Sequence, residues 1–413
     1  MFKLRSTPKE RLLLIALVVR IVPAALIYGT DDVSGWWTWG KLLASGANPY
    51  LSKYPLVWPP FWLPFAWLSY GTAEATGLPF HFIIKLFPIA ADVALTLFLY
   101  AMAEEFGCSP WKTALMYALN PIAIYSVAVH GQFDVIPTLC LTIAVVRMRH
   151  EPRPVRAGFW LGVAAAFKTW PLFVLPALLA PLRSMWKRAL VAIIAIGVFV
   201  AALLVPWPFF GRETVTGVLR YRGALSWWGL SSMAYLRGVA VSPSLFSIIF
   251  FASMGVISML LIATRTPAVL GALLLLLTFY VTAPGFGLQY LVWIVPIALL
   301  ADQRRGLVYS LLAGLLIAFE VLVRPFTGHI GEMVRILPHA GYARAYGGVA
   351  DHTYTTIVRL VLWLFFCWWW LVTIIRCGRL WLNGIRSSRS SPPRGSIVRT
   401  VVPVRRHAAG SDA

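Results

Sequence analysis

Two carboxylates stand side by side at Asp31-Asp32, just after an apolar run that ends at Tyr28. At the junction between lipid and water, a carboxylate reaches both a lipid-borne group and a soluble one. That position suits a general base that takes the proton of an acceptor hydroxyl. The same pair could instead cap a helix opening near Trp36. The stretch from Trp36 to Ser45 can form a short helix with Trp and Leu lying in the membrane interface, and Gly46 and Pro49 would end it.

Other polar residues interrupt apolar sequence further on. Asn120-Pro121 falls within one apolar run, and His130-Gly131-Gln132-Phe133-Asp134 makes a turn before the next. Gln132 and Asp134 could bond sugar hydroxyls or hold the first loop. Asp134 equally fits a helix N-terminus, where the dipole favours an anion. Lys168, in Ala166-Phe167-Lys168-Thr169-Trp170-Pro171, is costly amid apolar sequence unless it has a partner or a function. A phosphate is one partner, and snorkelling to the interface is the alternative. Lys85 and Asp92 share a helix face and should be buried and paired, with each other or with neighbours. Arg212, Arg220 and Arg222, near Tyr221, Trp227 and Trp228, suit a phosphate-bearing ligand or lipid headgroups. Gln289 and Tyr290 open a later apolar run, as ligand contacts or as an aromatic anchor at the interface. His329, Glu332, His339, Asp351 and His352 are too dispersed to make a metal site, and no metal or cofactor is expected.

These residues need helices in lipid to position them. Hydrophobic residues make up 59% of the 413 and charged residues 12%, whereas a soluble domain is about a quarter charged. Apolar segments near 12–28, 79–103, 113–129, 134–147, 157–167, 170–182, 188–206, 243–263, 267–283, 288–301, 306–323 and 357–375 predict an all-α polytopic membrane bundle of about 12 transmembrane helices. The first could pass for a signal peptide, but Arg20 interrupts it and more spans follow, so it reads as an uncleaved span. The net charge of +21 sits mostly in short connectors and the tail, so it reads as membrane sidedness and not as nucleic-acid binding. Arg147 to Arg156, Arg183 to Arg188, Arg265 and Arg304–Arg305 then face the cytoplasm together with both termini, in a cell membrane. Loops of roughly 29–78, 207–242 and 324–356 are external and carry interfacial helices. Residues 1–382 form one transmembrane domain, and 383–413 form a basic Ser/Pro/Arg-rich cytoplasmic tail expected to be disordered. The four cysteines show no paired or metal-type spacing.

The order of these motifs resembles the C-fold (GT-C) integral-membrane glycosyltransferases that use polyprenyl-phosphate sugars. The resemblance rests on an Asp after the first span, the aromatic helix, Gly46-Ala47-Asn48-Pro49-Tyr50, the Tyr54-Pro55 stretch, the Gly-Gln-x-Asp turn, Lys168-Thr169-Trp170-Pro171 and Gln289-Tyr290-Leu291-Val292-Trp293. Tyr54-Pro55-Leu56-Val57-Trp58-Pro59-Pro60 departs from the compact Tyr-Pro-Pro of many relatives. The resemblance implies an inverting hexosyltransferase, with mannose the expected sugar. It would move the sugar from a polyprenyl-phosphate donor to a lipid- or glycan-linked acceptor hydroxyl on the external face. Asp32 would be the base, with Asp31 as the fallback. Lys168, Gln132, Asp134, Arg220, Arg222, Gln289 and Tyr290 would bind substrate. No glycine-rich nucleotide motif appears, which agrees with a lipid donor. The rival class is a transporter or lipid flippase with Lys85, Asp92 and Lys168 on its path. No inverted repeat is visible to support it.

Overall fold

The computed structural model describes residues 7–52, 56–149, 153–220, 228–236, 242–319 and 353–390. Among them the regular structure is helical and no β-strand forms. The order begins α1 (Pro8–Leu26), α2 (Asp31–Ala44), α3 (Leu63–Thr76), α4 (Phe80–Met102), α5 (Pro110–Ala118) and α6 (Pro121–Ile124). It continues α7 (Val135–Val146), α8 (Pro154–Phe167), α9 (Leu175–Leu179), α10 (Met185–Leu204), α11 (Trp207–Phe210) and α12 (Glu213–Arg220). The last are α13 (Gly229–Leu236), α14 (Pro243–Thr264), α15 (Ala268–Thr282), α16 (Val295–Ala301), α17 (Gln303–Ala318) and α18 (Thr353–Ser390).

All twelve apolar segments lie largely in helix, but twelve separate crossings are not shown. Among the described residues, four helical stretches are long and apolar enough to cross a membrane: Phe80–Phe106, Met185–Phe210, Pro243–Thr264 and Ile357–Leu382. A fifth arises if Pro110–Ala118 and Pro121–His130, bent by 44°, act as one. The reason for the smaller number is local. Polar residues and prolines break the other apolar runs, at Lys168-Thr169 before Pro171 for example, and leave helices of 10–17 residues. In α1 the first-turn charges Lys9, Glu10 and Arg11 together with the buried Arg20 lower the apolar character of an otherwise adequate length.

Close approach between helices is set by small residues. On α8, a Cβ added at Gly158 would lie 2.8 Å from the Val191 carbonyl, and one at Gly162 would lie 2.7 Å from that of Ala195. This small-xxx-small spacing lets α8 and α10 run parallel with their backbones in near contact. Elsewhere α10 faces outward, with Ile193 63% and Ile196 48% exposed.

The first loop, 29–78, has its own core. Trp36, Trp39, Tyr50, Leu56 and Trp62 are buried together with Phe133 and Phe167 from the helical bundle. Trp36 packs edge-on against Trp39 and Trp62, with centroids 5.1 and 5.7 Å apart. So two of the three α2 tryptophans are interior, and Trp37, 39% exposed, is the one facing outward. α2 closes where the sequence indicates, in a Schellman turn at Gly46 (φ +74°). The Ala47 amide donates to Leu42 O at 2.8 Å and the Gly46 amide to Leu43 O at 3.1 Å.

The connectors divide between two ends of the bundle. At one end Thr30 meets His130 and Lys85 meets Ile27. At the other, Cys108 approaches Leu299 O, Arg149 lies 4.1 Å over the Phe106 ring, and Arg376 donates to Ala301 O at 3.2 Å. Because α8 and α10 are parallel, their basic starts at Arg153–Arg156 and Arg183–Arg188 share an end as well.

Candidate functional site

The site is built where helices break. α2 opens at Asp31, five residues before Trp36, so the two carboxylates belong to its first turn, where the helix dipole favours them. They do not form a cap ahead of the helix. Thr30 takes the N-cap position, yet its hydroxyl turns away to His130, donating to the carbonyl O and lying 3.2 Å from Nδ1. Opposite, Tyr125–His130 winds as a π-helical turn, a form common at functional sites. Gly131 then reverses the chain at φ +85°. A Cβ there would meet Val33 Cγ2 at 2.6 Å, so only glycine fits.

Lys85 holds this turn. Its ammonium donates to Ile27 O at 2.6 Å and to Ala128 O at 2.9 Å, which are carbonyls at two helical ends. A cation there matches the negative end of the helix dipole. Asp92 is not its partner. Asp92 pairs with Arg20 and accepts from Tyr117 OH at 2.6 Å, while Arg20 also donates to Ala118 O at 2.9 Å. This buried cluster ties α1, α4 and α5. Its partners are 72 and 25 residues from Asp92, too distant for sequence spacing to reveal.

A continuous line of polar side chains crosses the site. His130 Nδ1 lies 3.7 Å from Asp32 Oδ2. Gln132 donates through Nε2 to that same oxygen and accepts through Oε1 from Lys168 Nζ at 3.4 Å. Lys168 donates to Asp134 Oδ2 at 2.6 Å, and Trp293 Nε1 donates to Asp134 Oδ1 at 2.7 Å. Asp134 occupies the N-cap of α7, but its carboxylate makes no capping bond. Lys168 is 4% exposed and does not snorkel. It sits where α8 stops, in extended conformation (φ −148°, ψ 144°), with Trp58 and Phe133 rings 5.2 and 4.9 Å away.

Beside Lys168 lies an open cavity of about 260 Å³. Trp58, Trp170, Phe250, Phe279, Tyr290 and Trp293 supply aromatic walls, and Lys168 supplies charge at its edge. Trp170 and Trp293 stack at 4.1 Å and 6°, and Tyr290 lies 4.3 Å from Trp293. Such faces suit sugar rings or lipid chains, and the adjoining Lys168–Asp134 pair can exchange hydrogen bonds with hydroxyl or phosphate groups. Above it, Tyr50 donates to Trp58 O at 2.9 Å, and burial pushes its phenol well above the usual value.

The expected site residues therefore separate. Lys168 and Tyr290 line the cavity, and Gln132 and Asp134 stand directly behind it. Asp32, its side chain 27% exposed, lies beyond Gln132 and is not on the cavity wall. Asp31 is exposed in the same first turn. Gln289 is half-buried with its amide against Gly287, and it is also off the wall. Arg212 is exposed, 3.5 Å from Glu213. The Arg220 side chain, Arg222, Tyr221 and Trp227 lie outside the described residues, as do His329, Glu332, His339, Asp351 and His352. Among the described residues no cluster of three metal-type ligands occurs. Trp58, Trp170 and Trp293 were not singled out from sequence. Trp293 could have been, since it stands in the Gln289-Tyr290-x-x-Trp293 motif.

Residues 40–218 match the family described as GPI transamidase subunit PIG-U. No curated protein matches the chain. The match overturns the expectation of a C-fold glycosyltransferase. The stretch that carries the Asn-Pro, Gly-Gln-x-Asp and Lys168 motifs is the stretch that is similar to the transamidase subunit family. With it fall the hexosyltransferase activity, the transfer of mannose and the polyprenyl-phosphate sugar donor as partner. The geometry gives the physical reason the motifs misled. Each marks a helix break, and their polar groups are spent on one another, Lys168 on Asp134 and Gln132 on Asp32. Asp32, the expected base, also precedes the matched stretch.

Proposed function

We propose that this chain is a multi-pass membrane subunit of a GPI-transamidase-type assembly, and that it holds the glycosylphosphatidylinositol-type lipid while a partner subunit performs the covalent step. The observation that carries the reading is a coincidence of place. The stretch similar to the transamidase subunit contains Trp58, Gln132, Asp134, Lys168 and Trp170, the residues that build one wall of the aromatic cavity and the polar line behind it. A glycolipid offers what this cavity takes: hydroxyls and a phosphate for the Lys168–Asp134 pair, sugar faces for the stacked indoles, and an apolar chain for Phe250 and Phe279.

In this reading the twelve apolar segments all traverse or enter a cell membrane, several as broken helices. The basic end and both termini face the cytoplasm, by the charge asymmetry of short connectors. The cavity and the first loop then face the opposite side. Gln132 and Asp134 act as orienting groups behind the cavity, and Asp32 holds Gln132 from the far side.

The test is genetic and biochemical together. Removing the chain should abolish lipid-anchor attachment to a reporter protein while the free anchor lipid accumulates. The tagged chain should co-purify in fixed ratio with a peptide-cleaving subunit. Normal anchor attachment without the chain, or a chain that purifies alone from native membranes, would overturn the reading.

A further inference from the structure

We infer that the end of the bundle opposite the cavity is a binding surface for anionic phospholipid headgroups, with the end of α18 as its centre. The inference is independent of the transamidase reading. α18 is one helix from Thr353 to Ser390, and its apolar crossing stretch ends at Leu382. Eight further helical residues carry it about 12 Å past that point at 1.5 Å per residue. Arg376 and Arg379 are exposed on its last apolar turns, and Trp381 between them and the tip is 46% exposed, as an indole at a headgroup boundary would be. Arg386 and Arg389 follow on the same helix.

Neighbouring elements add charge to the same end. Arg376 reaches Ala301 O, so α18 leaves beside the start of α17, where Arg304 is exposed. Arg265 is exposed where α14 ends, and α14 packs against α18. Of the carboxylates nearby, Glu104 and Glu105 are exposed, and two others are engaged locally. Asp302 is paired with Arg305 at 2.5 Å, and Glu10 accepts from the Thr7 amide at 2.7 Å.

The sequence makes the surplus plain. Arg376, Arg379, Arg386, Arg389, Arg394, Arg399, Arg405 and Arg406 occur without one intervening Asp or Glu. Short connectors suffice to set sidedness, and here they are already basic, so the additional arginines need another account. A cluster of this density directly after a crossing helix attracts anionic lipid, and the attraction falls off within a Debye length of about 10 Å at 0.1 M salt. The projecting helix sets positions 386 and 389 within about 12 Å of the end of the crossing stretch. At the cavity end the described charges are mixed, with Asp31, Asp32, Glu74 and Glu213 among Lys41 and Arg212.

The experiment uses the full chain in nanodiscs of phosphatidylcholine, with or without phosphatidylglycerol. Proteinase K is added and loss of a C-terminal tag is timed. Anionic lipid should slow tail cleavage by at least about tenfold, since several arginines act together. High salt should abolish the protection. In the variant R379Q/R386Q/R389Q/R394Q, cleavage should be fast in both membranes, while gel filtration confirms an intact fold. Cleavage near the exposed Arg212 at the cavity end serves as the internal control. Equal tail cleavage in both membranes, protection that survives high salt, or protection that persists in the variant would each overturn the proposal. So would purification with RNA, and not anionic phospholipid, retained on the tail.

Discussion

Lys168 and Trp293 grip the two oxygens of Asp134 separately: the ammonium lies 2.6 Å from Oδ2, and the indole nitrogen 2.7 Å from Oδ1. The carboxylate is fully buried, so both donors offset its loss of water. One residue thereby joins the broken end of α8, the start of α7 and the segment before α16.

Removing one partner of this pair should cost more than removing both. Lys168→Met leaves a buried carboxylate short of a donor and should destabilise the protein by about 3–5 kcal/mol. The double variant Lys168→Met/Asp134→Leu should recover much of that loss. Thermal unfolding in a mild detergent measures all three proteins. Additive losses would mean the pair contributes no coupling.

Gly162 should be intolerant of size. Gly162→Leu drives a side chain into the Ala195 carbonyl and Val198, and overpacking of this kind costs about 1–3 kcal/mol. Gly197→Leu on α10 has open space and should leave the melting temperature nearly unchanged. The contrast is the measurement, since a general sensitivity of membrane helices to leucine would lower both.

Ligand binding should distinguish Asp32 from the cavity. With a soluble phosphatidylinositol glycan as probe, Asp32→Asn should leave affinity within about twofold, because Asp32 is off the wall and Asn keeps a partner for Gln132. Trp293→Ala removes a wall and the Asp134 donor and should weaken binding at least about tenfold. A strong effect of Asp32→Asn with none from Trp293→Ala would place the ligand on the first loop instead.

Sidedness can be read with fusions. A reporter active only outside the cytoplasm should be silent at the C-terminus and active when inserted in the first loop. The reverse result would put the cavity on the cytoplasmic side and undo the charge argument.

The sequence made helices easy to find and their ends and partners hard. Gly46 closed α2 as its backbone demands, but the start moved from Trp36 to Asp31, because carboxylates in a first turn read as loop when no apolar residue precedes them. Lys168 was recognisable as costly. Its partner, 34 residues away, was not. Arg20 read as an interruption of an apolar run, whereas it answers Asp92 from 72 residues away. Twelve separate crossings are not shown, because hydropathy averages across breaks that proline and lysine impose on the helices. The chemistry was overread for a related reason: helix breaks, prolines and glycine turns recur wherever a membrane protein builds a polar pocket, so such motifs mark the place of a site and not its reaction.

Phe133 and Phe167 belong to the tryptophan core of the first loop, yet each is the immediate sequence neighbour of a polar-line residue, Gln132 and Asp134 for the first and Lys168 for the second. The loop is therefore not an exchangeable cassette. A graft of residues 29–78 from a relative would carry the tryptophans but leave behind the two phenylalanines they were shaped around. A workable chimera has its seams elsewhere, with the loop and the turns at 131–134 and 167–170 inherited as one piece.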